Sequence, residues 1–528
     1  MTPPHEIPNN LENEITGCLA EIQGDRPTGI HKWTGRQVVA LLLFIGGIVA
    51  GLTFIPNRLF DPDVIQITYV MGAIATWRYL WWFNHARRAE VFAAVRWPRV
   101  EKRRDEVWAD GWRPRHLHIQ MTTYREEPAI TRHVVRALLD QIRAESIPTT
   151  IWIGTGAYAD EAEIEAIVAQ YGRDLDTEIV FVRQNQPGKR MAIGLVMRAI
   201  IRSGPDPDDL IIFMDGDTVF GDHALARCCG MFGADRDLQA LTTDEDVITF
   251  GPDWMRRWLD MRFTQRRLAM QSHAMSDRVL TLTGRMSMFR ARMIINQEFV
   301  RTIEADHLVH WLRGRFRFLS GDDKSTWFYL LSHGAKMGYV PDACVYTVEI
   351  IEGRGFDRMV QNLRRWSGNM LRNGARALAL GPRQCKPFIW MCILDQRIAI
   401  WTTLIGPALM LLAAFIEPWY IISAVLWVLS SRLVLSLYLF RHARMADMSW
   451  PFILYANQIV NAGVKVYAQF FLNKQTWANR GKQRAGHGNS RLERFKDLVA
   501  TYQFVTALGV FLYFVGVLGG RFPMPSWF

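Results

Sequence analysis

The chain has 528 residues, of which 49% are hydrophobic and 21% charged, a balance that excludes a disordered polymer and is too long for one ordinary domain. Its net charge of +11 would fit a nucleic-acid binder, but the cations cluster beside apolar runs, where they mark the cytosolic face of a membrane, so no nucleic-acid partner is expected. The six cysteines, Cys18, Cys228, Cys229, Cys344, Cys385 and Cys392, have the spacing of neither a zinc site nor a disulfide framework and are read as reduced thiols.

The first 30 residues are polar and include Pro3, Pro4, Pro8, Asn9 and Asn10. This argues against a cleavable signal peptide and predicts a flexible cytosolic tail over 1–36. Apolar runs near the length a helix needs to cross a bilayer, about 20 residues, follow at 38–55 and 64–83. His31, Lys32 and Arg36 precede the first run, and Arg87, Arg88 and Arg96 follow the second, while the connection carries only Arg58 against Asp61 and Asp63. Both ends of this hairpin (37–84) are therefore expected in the cytosol.

From 115 to 235 short apolar strands alternate with helical stretches. Strands are predicted at 115–121, 149–154, 178–183 and 210–214, and helices at 129–144, 160–171, 189–203 and 222–232. This alternation predicts a parallel sheet covered by helices, with ligands bound beyond the carboxyl ends of the strands. Thr122-Thr123-Tyr124-Arg125-Glu126-Glu127 follows the first strand and Asp215-Gly216-Asp217 ends the fourth. Two carboxylates one residue apart at a strand end can serve a divalent metal and a sugar or ribose, and the metal can neutralise a diphosphate leaving group. Between them, Gln186-Pro187-Gly188-Lys189-Arg190 joins a glycine turn and two cations to a helix start, which suits phosphate and equally suits a basic helix cap.

Further on, Ser320-Gly321-Asp322-Asp323-Lys324 precedes an aromatic helix. A carboxylate there can take the proton from an acceptor hydroxyl, and either aspartate can also cap the helix. In Gln361-Asn362-Leu363-Arg364-Arg365-Trp366, with Asn369 and Arg372, helical spacing puts Asn362, Arg365 or Trp366, and Asn369 on related faces; an interfacial amphipathic helix has the same pattern. Further spans are predicted at 398–416, 419–440 and 499–520. The polar 453–471 segment is expected to be interfacial or re-entrant, because spanning would put the basic stretch after it outside. Arg432, within the fourth span, is either an ion-paired or snorkelling residue or a contact to polymer in a channel.

Taken together and in this order, the motifs resemble the processive family-2 glycosyltransferases, the cellulose, chitin, hyaluronan, curdlan and alginate synthases, over residues 115–480. The resemblance implies an α/β GT-A domain, a Rossmann-like mixed sheet, inserted between transmembrane helices, with anomeric inversion and growth coupled to export. It implies a nucleotide pocket of Thr123, Tyr124 and Glu126, and diphosphate support from Lys189 with Arg190 beside it. Asp215 and Asp217 would hold the donor and Mg2+ or Mn2+. Asp323, beside Asp322, takes the base position. Thr283 and Gly284 fall near the acceptor, which Asn362, Arg364, Arg365 and Trp366 would bind together with the diphosphate. The family's glutamine is met by Asn362 when the helix is aligned on Arg365-Trp366. Trp477 and Arg480 resemble a gating segment.

The family's Asp-Asp-Gly after the second strand, which contacts uracil, is replaced by Ile153-Gly154-Thr155-Gly156-Ala157, with no carboxylate before Asp160. With the Arg-Arg-Trp helix, this departure favours an alginate-polymerase-like enzyme that uses GDP-mannuronate. A UDP-sugar-dependent β-glucan or hyaluronan-like synthase is the alternative, and a lipid-acceptor transferase or a transporter with a nucleotide-sensing domain are the other readings. The expected organisation is a GT-A domain over 85–355, interfacial helices over 356–397, a hairpin over 398–440, an interfacial or re-entrant helix over 441–471, a gating-like loop over 472–498 and a last span over 499–528. Expected too are a multi-pass bacterial inner-membrane location with a cytosolic catalytic domain. The expected partners are the lipid bilayer, the growing polysaccharide, and cyclic-di-GMP-binding and periplasmic export subunits.

Overall fold

The computed structural model describes residues 10–23, 29–54, 61–185, 188–477, 483–485 and 490–524. It opens with three helices, α1 (Leu11–Gln23), α2 (Gly35–Phe54) and α3 (Ile65–Val91), and a short π-helical stretch joins the last to α4 (Trp97–Ala109). Residues 11–23 of the predicted flexible tail thus form a helix. Leu11, Ile15 and Leu19 recur every four residues as one apolar stripe, all three are buried, and Glu12 pairs with Arg132 at 2.7 Å. The stripe is short and its flanks are polar, so composition concealed it.

The central block then alternates as predicted: β1 (Leu117–Thr122), α5 (Pro128–Glu145), β2 (Thr149–Thr155), α6 (Tyr158–Tyr171), β3 (Thr177–Arg183), α7 (Lys189–Ser203), β4 (Leu210–Asp215), β5 (Thr218–Phe220) and α8 (Ala224–Ala234). It continues through β6 (Leu238–Phe250), α9 (Asp253–Ala274), β7 (Met286–Arg290), α10 (Ala291–Ile294), α11 (Gln297–Ala305), β8 (His307–His310), β9 (Gly314–Arg317), α12 (Asp322–Ser332) and β10 (Lys336–Ile350). Eight strands form one sheet in the order β3-β2-β1-β4-β7-β6-β10-β5. The first four run parallel, and β7 and β5 enter antiparallel, which makes it the mixed sheet of the GT-A fold. Strands β1 and β2 are buried at every position, as expected where helices cover both faces.

After the sheet come α13 (Gly355–Ala379), α14 (Gly381–Cys385), α15 (Pro387–Ile416), α16 (Tyr420–Leu439), α17 (Trp450–Phe470), the short strands β11 (Gln475–Trp477) and β12 (Gln483–Ala485), and α18 (Arg491–Leu518). Among the described residues four helices, within α2, α15, α16 and α18, are long and apolar enough to cross a membrane. The predicted 64–83 span lies in α3, whose 27 residues have the length. It falls outside those four because Arg78 and several polar residues dilute it. Arg78 pairs with Asp395 of α15 at 2.5 Å, so its charge is met by a carboxylate of the neighbouring helix. Exposed Leu42, Leu43, Leu80, Phe415, Trp427 and Val510 give these helices an apolar surface that water alone would not tolerate.

Charged side chains fix this bundle to the sheet. Arg88 of α3 donates to Ser276 Oγ at 2.7 Å and stacks on Phe388 at 3.7 Å. The run Asp244-Glu245-Asp246 in β6 places Asp244 on Arg267 at 2.7 Å and Asp246 on Arg444, beyond α16, at 3.0 Å. Strand β6, inside the sheet, is thereby held against the chain that links α16 to α17.

Candidate active site

The carboxyl ends of β1 and β4 lie side by side, with Thr122 opposite Asp215. They open into a cavity of about 900 Å³ lined by Tyr124, Glu126, Lys189, Asp215, Asp217, Thr283, Gly284, Asp322, Asp323, Arg365 and Trp366, among others. Motifs from six separate stretches of the chain therefore converge on one volume. At its centre, Lys189 Nζ lies 2.5 Å from Asp215 Oδ1 and 3.1 Å from Asp322 Oδ2. This cation starts α7, so the positive helix end and the ammonium point to the same place. A side chain at Gly284 would meet Lys189 Nζ at 3.0 Å and Asp215 Oδ2 at 3.4 Å. The missing Cβ leaves a cradle beside the strand-end carboxylates.

Gly321 turns the chain into α12 with φ of +83°, and an added Cβ there would sit 2.6 Å from Asn369 Cγ. Only glycine meets both conditions, the left-handed backbone and the close approach. The turn delivers Asp322 and Asp323 to the cavity with different environments. Burial favours the neutral Asp322 carboxyl, but Lys189 and Arg190 outweigh it and hold the group below the ordinary carboxylate range. Burial and the Asp322 charge push Asp323 upward. Lys324 is pushed down to about 8 by burial, with Asp323 opposing, and donates to Thr281 Oγ1 at 2.6 Å. One carboxylate is kept ionised while its neighbour is drawn toward neutral pH, the division of labour that acid–base chemistry uses.

Not every predicted residue reaches the cavity. Thr123 is buried, its N–H bonds the Gly154 carbonyl at 3.1 Å, and its Cβ would lie 2.9 Å from one on Gly216. Arg190 is buried behind Lys189 and donates to the Ile303 carbonyl and Ser325 Oγ, both at 2.8 Å. It shapes the Asp322 turn rather than meeting a ligand. Asn362 donates to Glu349 Oε1 at 3.2 Å, whereas Gln361, Arg365, Trp366 and Asn369 line the cavity. Arg364 turns away, lies 5.2 Å from the Tyr467 ring centre and donates to the Lys474 carbonyl at 3.4 Å.

The segment after α17 is anchored close by: Gln475 accepts from Leu319 N and donates to the Arg317 carbonyl, each at 2.9 Å. Trp477 ends strand β11, and Arg480 lies outside the described residues, as do Gln186 and Pro187. Arg432 lines a different cavity, of about 230 Å³, between α3, α15, α16 and α17.

Several cavity residues are marked by no motif, Glu245, Arg262 and Arg266 among them. Glu245 pairs with both Arg266 and Arg285 at 3.1 Å, and Arg262 lies 5.8 Å from the Trp366 ring centre. Their signal was present as three acids in an apolar strand and as a helix rich in arginine. After β2, the first carboxylate, Asp160, accepts from the backbone N–H of Arg125 at 3.0 Å. An added Cβ at Gly156 would sit 2.7 Å from the Tyr124 ring. The place where a uracil-reading carboxylate was expected is thus occupied by a turn packed on Tyr124.

Comparison with known proteins follows the same lines. The family described as "Glycosyltransferase like family 2" matches residues 114–369. The "Glycosyltransferase alg8" of Pseudomonas syringae pv. tomato is 33% identical over 446 residues, 84% of this chain and 90% of the relative. That of Azotobacter vinelandii is 35% identical over 449 residues, with the same coverage. Among solved structures, the mannosyltransferase PcManGT of Pyrobaculum calidifontis, in complex with GDP-Man and Mn2+, is 16% identical and aligns with a TM-score of 0.44 over 73% of this chain and 99% of its own.

Proposed function

The chain belongs to the family-2 glycosyltransferases, and from that premise we propose that it polymerises mannuronate from GDP-mannuronate into β-1,4-linked polymannuronate, the backbone of alginate. The observation that carries the chemistry is the bridge from Asp215 through Lys189 to Asp322, beside Asp217 and Asp323, in one cavity. The names of the two curated relatives support the alginate assignment. The Asp160 turn, in place of a carboxylate free for uracil, supports a donor other than a UDP-sugar.

Asp217, with Asp215, would hold Mg2+ or Mn2+: hard oxygen ligands at a strand end, beside the open cradle at Gly284, fit such a cation. When bound, the ion supplies charge neutralisation for the departing diphosphate. Lys189 adds its own charge on the same side. Trp366 offers a flat ring for the terminal sugar of the acceptor, and Arg365 a cation beside it. Asp323 accepts the proton of the acceptor 4-hydroxyl as that oxygen attacks the anomeric carbon. The new C–O bond forms as the bond to the diphosphate oxygen breaks, GDP leaves, and the configuration inverts. The product then passes between the membrane helices and across the inner membrane, with the GT-A domain on the cytosolic side.

The polymer identifies the reaction. Purified full-length protein in nanodiscs, supplied with GDP-mannuronate and divalent metal, is expected to produce material that a mannuronate-specific lyase degrades completely. A product resistant to that lyase would overturn the proposal.

A further inference from the structure

The cavity holds a cation with no carboxylate partner among the described residues. Arg262, in α9, lines the cavity next to Trp366, which stacks on Trp258 at 6.0 Å with the rings 14° apart. Its Nη1 donates only a long bond to Gln265 Oε1, at 3.5 Å, and its Nε is buried without a hydrogen-bond partner. Among the described residues no carboxylate pairs with it, and burial alone lowers its pKa. Its neighbours differ: Arg266 and Arg285 both engage Glu245, and Arg358 engages Glu349 at 3.2 Å. An unpaired guanidinium in so enclosed a place is costly unless an anion arrives to meet it.

Three observations specify the anion. The charge adjoins a flat indole suited to a pyranose face, not the Lys189 corner where a diphosphate is met. Lys465 of α17 lies within electrostatic range of Arg262 and of the Asp395–Arg78 ion pair. Arg78, in turn, lines the 230 Å³ cavity between the membrane helices together with Arg432, Trp82, Trp427 and Tyr455. Cations interleaved with aromatic rings thus recur from Trp366 toward the bundle. A string of sugars each bearing a carboxylate matches that recurrence, whereas a single nucleotide does not.

We propose that Arg262 forms a carboxylate-binding subsite for the acceptor, receiving the uronate group of a sugar stacked on Trp366. The inference rests on the hexuronate reading above and adds the residue that selects for it. The guanidinium fork gives bidentate carboxylate recognition that a neutral sugar cannot match.

Binding of a β-1,4-linked mannuronate tetramer, neutral β-1,4-mannotetraose and GDP to full-length protein in nanodiscs tests it. Wild type is expected to prefer the uronate, with affinity that falls as salt rises. Arg262→Gln is expected to weaken uronate binding roughly 10- to 100-fold and flatten its salt dependence, with GDP binding intact and Arg262→Lys recovering part of the loss. Unchanged uronate affinity in Arg262→Gln, or an equal loss of GDP binding, would overturn the subsite while leaving the donor reading intact. A wild-type preference for mannotetraose would overturn both.

Discussion

Replacing Asp323 by Asn is expected to lower turnover on the order of 10²–10⁴-fold, the usual worth of a general base, while GDP-mannuronate binds about as tightly as to the wild type. The two adjacent aspartates make this a sharp test. Asp322 is committed to Lys189 at 3.1 Å and stays ionised, so it is poorly disposed to accept a proton. Asp323 has its pKa raised by burial and by the Asp322 charge, which makes it the better proton acceptor. Asp322→Asn is therefore expected to act on donor affinity, by releasing Lys189, and Asp323→Asn on kcat. The sign of the pH dependence follows. Asp323 works only when deprotonated, so wild-type kcat should fall with decreasing pH through a value above the ordinary carboxylate range. Steady-state kinetics of both variants across pH checks the assignment. A large kcat loss in Asp322→Asn with little change in Asp323→Asn would reverse the two roles.

The second large effect concerns the strand-end carboxylates. Asp217→Asn is expected to reduce GDP release at least 10²-fold and to raise the metal concentration needed for half-maximal activity, and EDTA is expected to abolish release by the wild type. The reasoning is electrostatic. Lys189 supplies one positive charge beside Asp215, too little for a leaving diphosphate, and stabilising that charge is commonly the largest single term in such catalysis. Metal titrations of wild type and Asp217→Asn provide the measurement. Full activity in EDTA would remove the metal from the account.

The strands and helices of the central block were legible because their periodicity and turn chemistry agree, as in Leu210–Asp215 followed by glycine. The sheet's mixed character came from the family resemblance and not from periodicity, since neither β5 nor β7 differs in composition from a short parallel strand. Side-chain direction was the harder part. Lys189 and Arg190 are neighbours in the first turn of α7, yet about 100° of helical rotation separates them, and one enters the cavity while the other braces the Asp322 turn. The same rotation separates Gln361 from Asn362. Alignment to a motif fixes residue type and approximate place, but only packing decides which of two adjacent polar residues faces the ligand. Arg262 shows the converse. No motif marks it, and its role became visible once neighbouring arginines were found paired and it was not.

Nucleoside diphosphate release by the purified full-length protein, with GDP-mannuronate, UDP-glucose and UDP-glucuronate supplied in parallel and Mg2+, Mn2+ or EDTA present, decides which donor the enzyme uses and whether it needs metal. Metal-dependent GDP release from GDP-mannuronate, with polymer formed, is expected, with background release from both UDP-sugars. Selective release of UDP would contradict GDP-mannuronate as the donor.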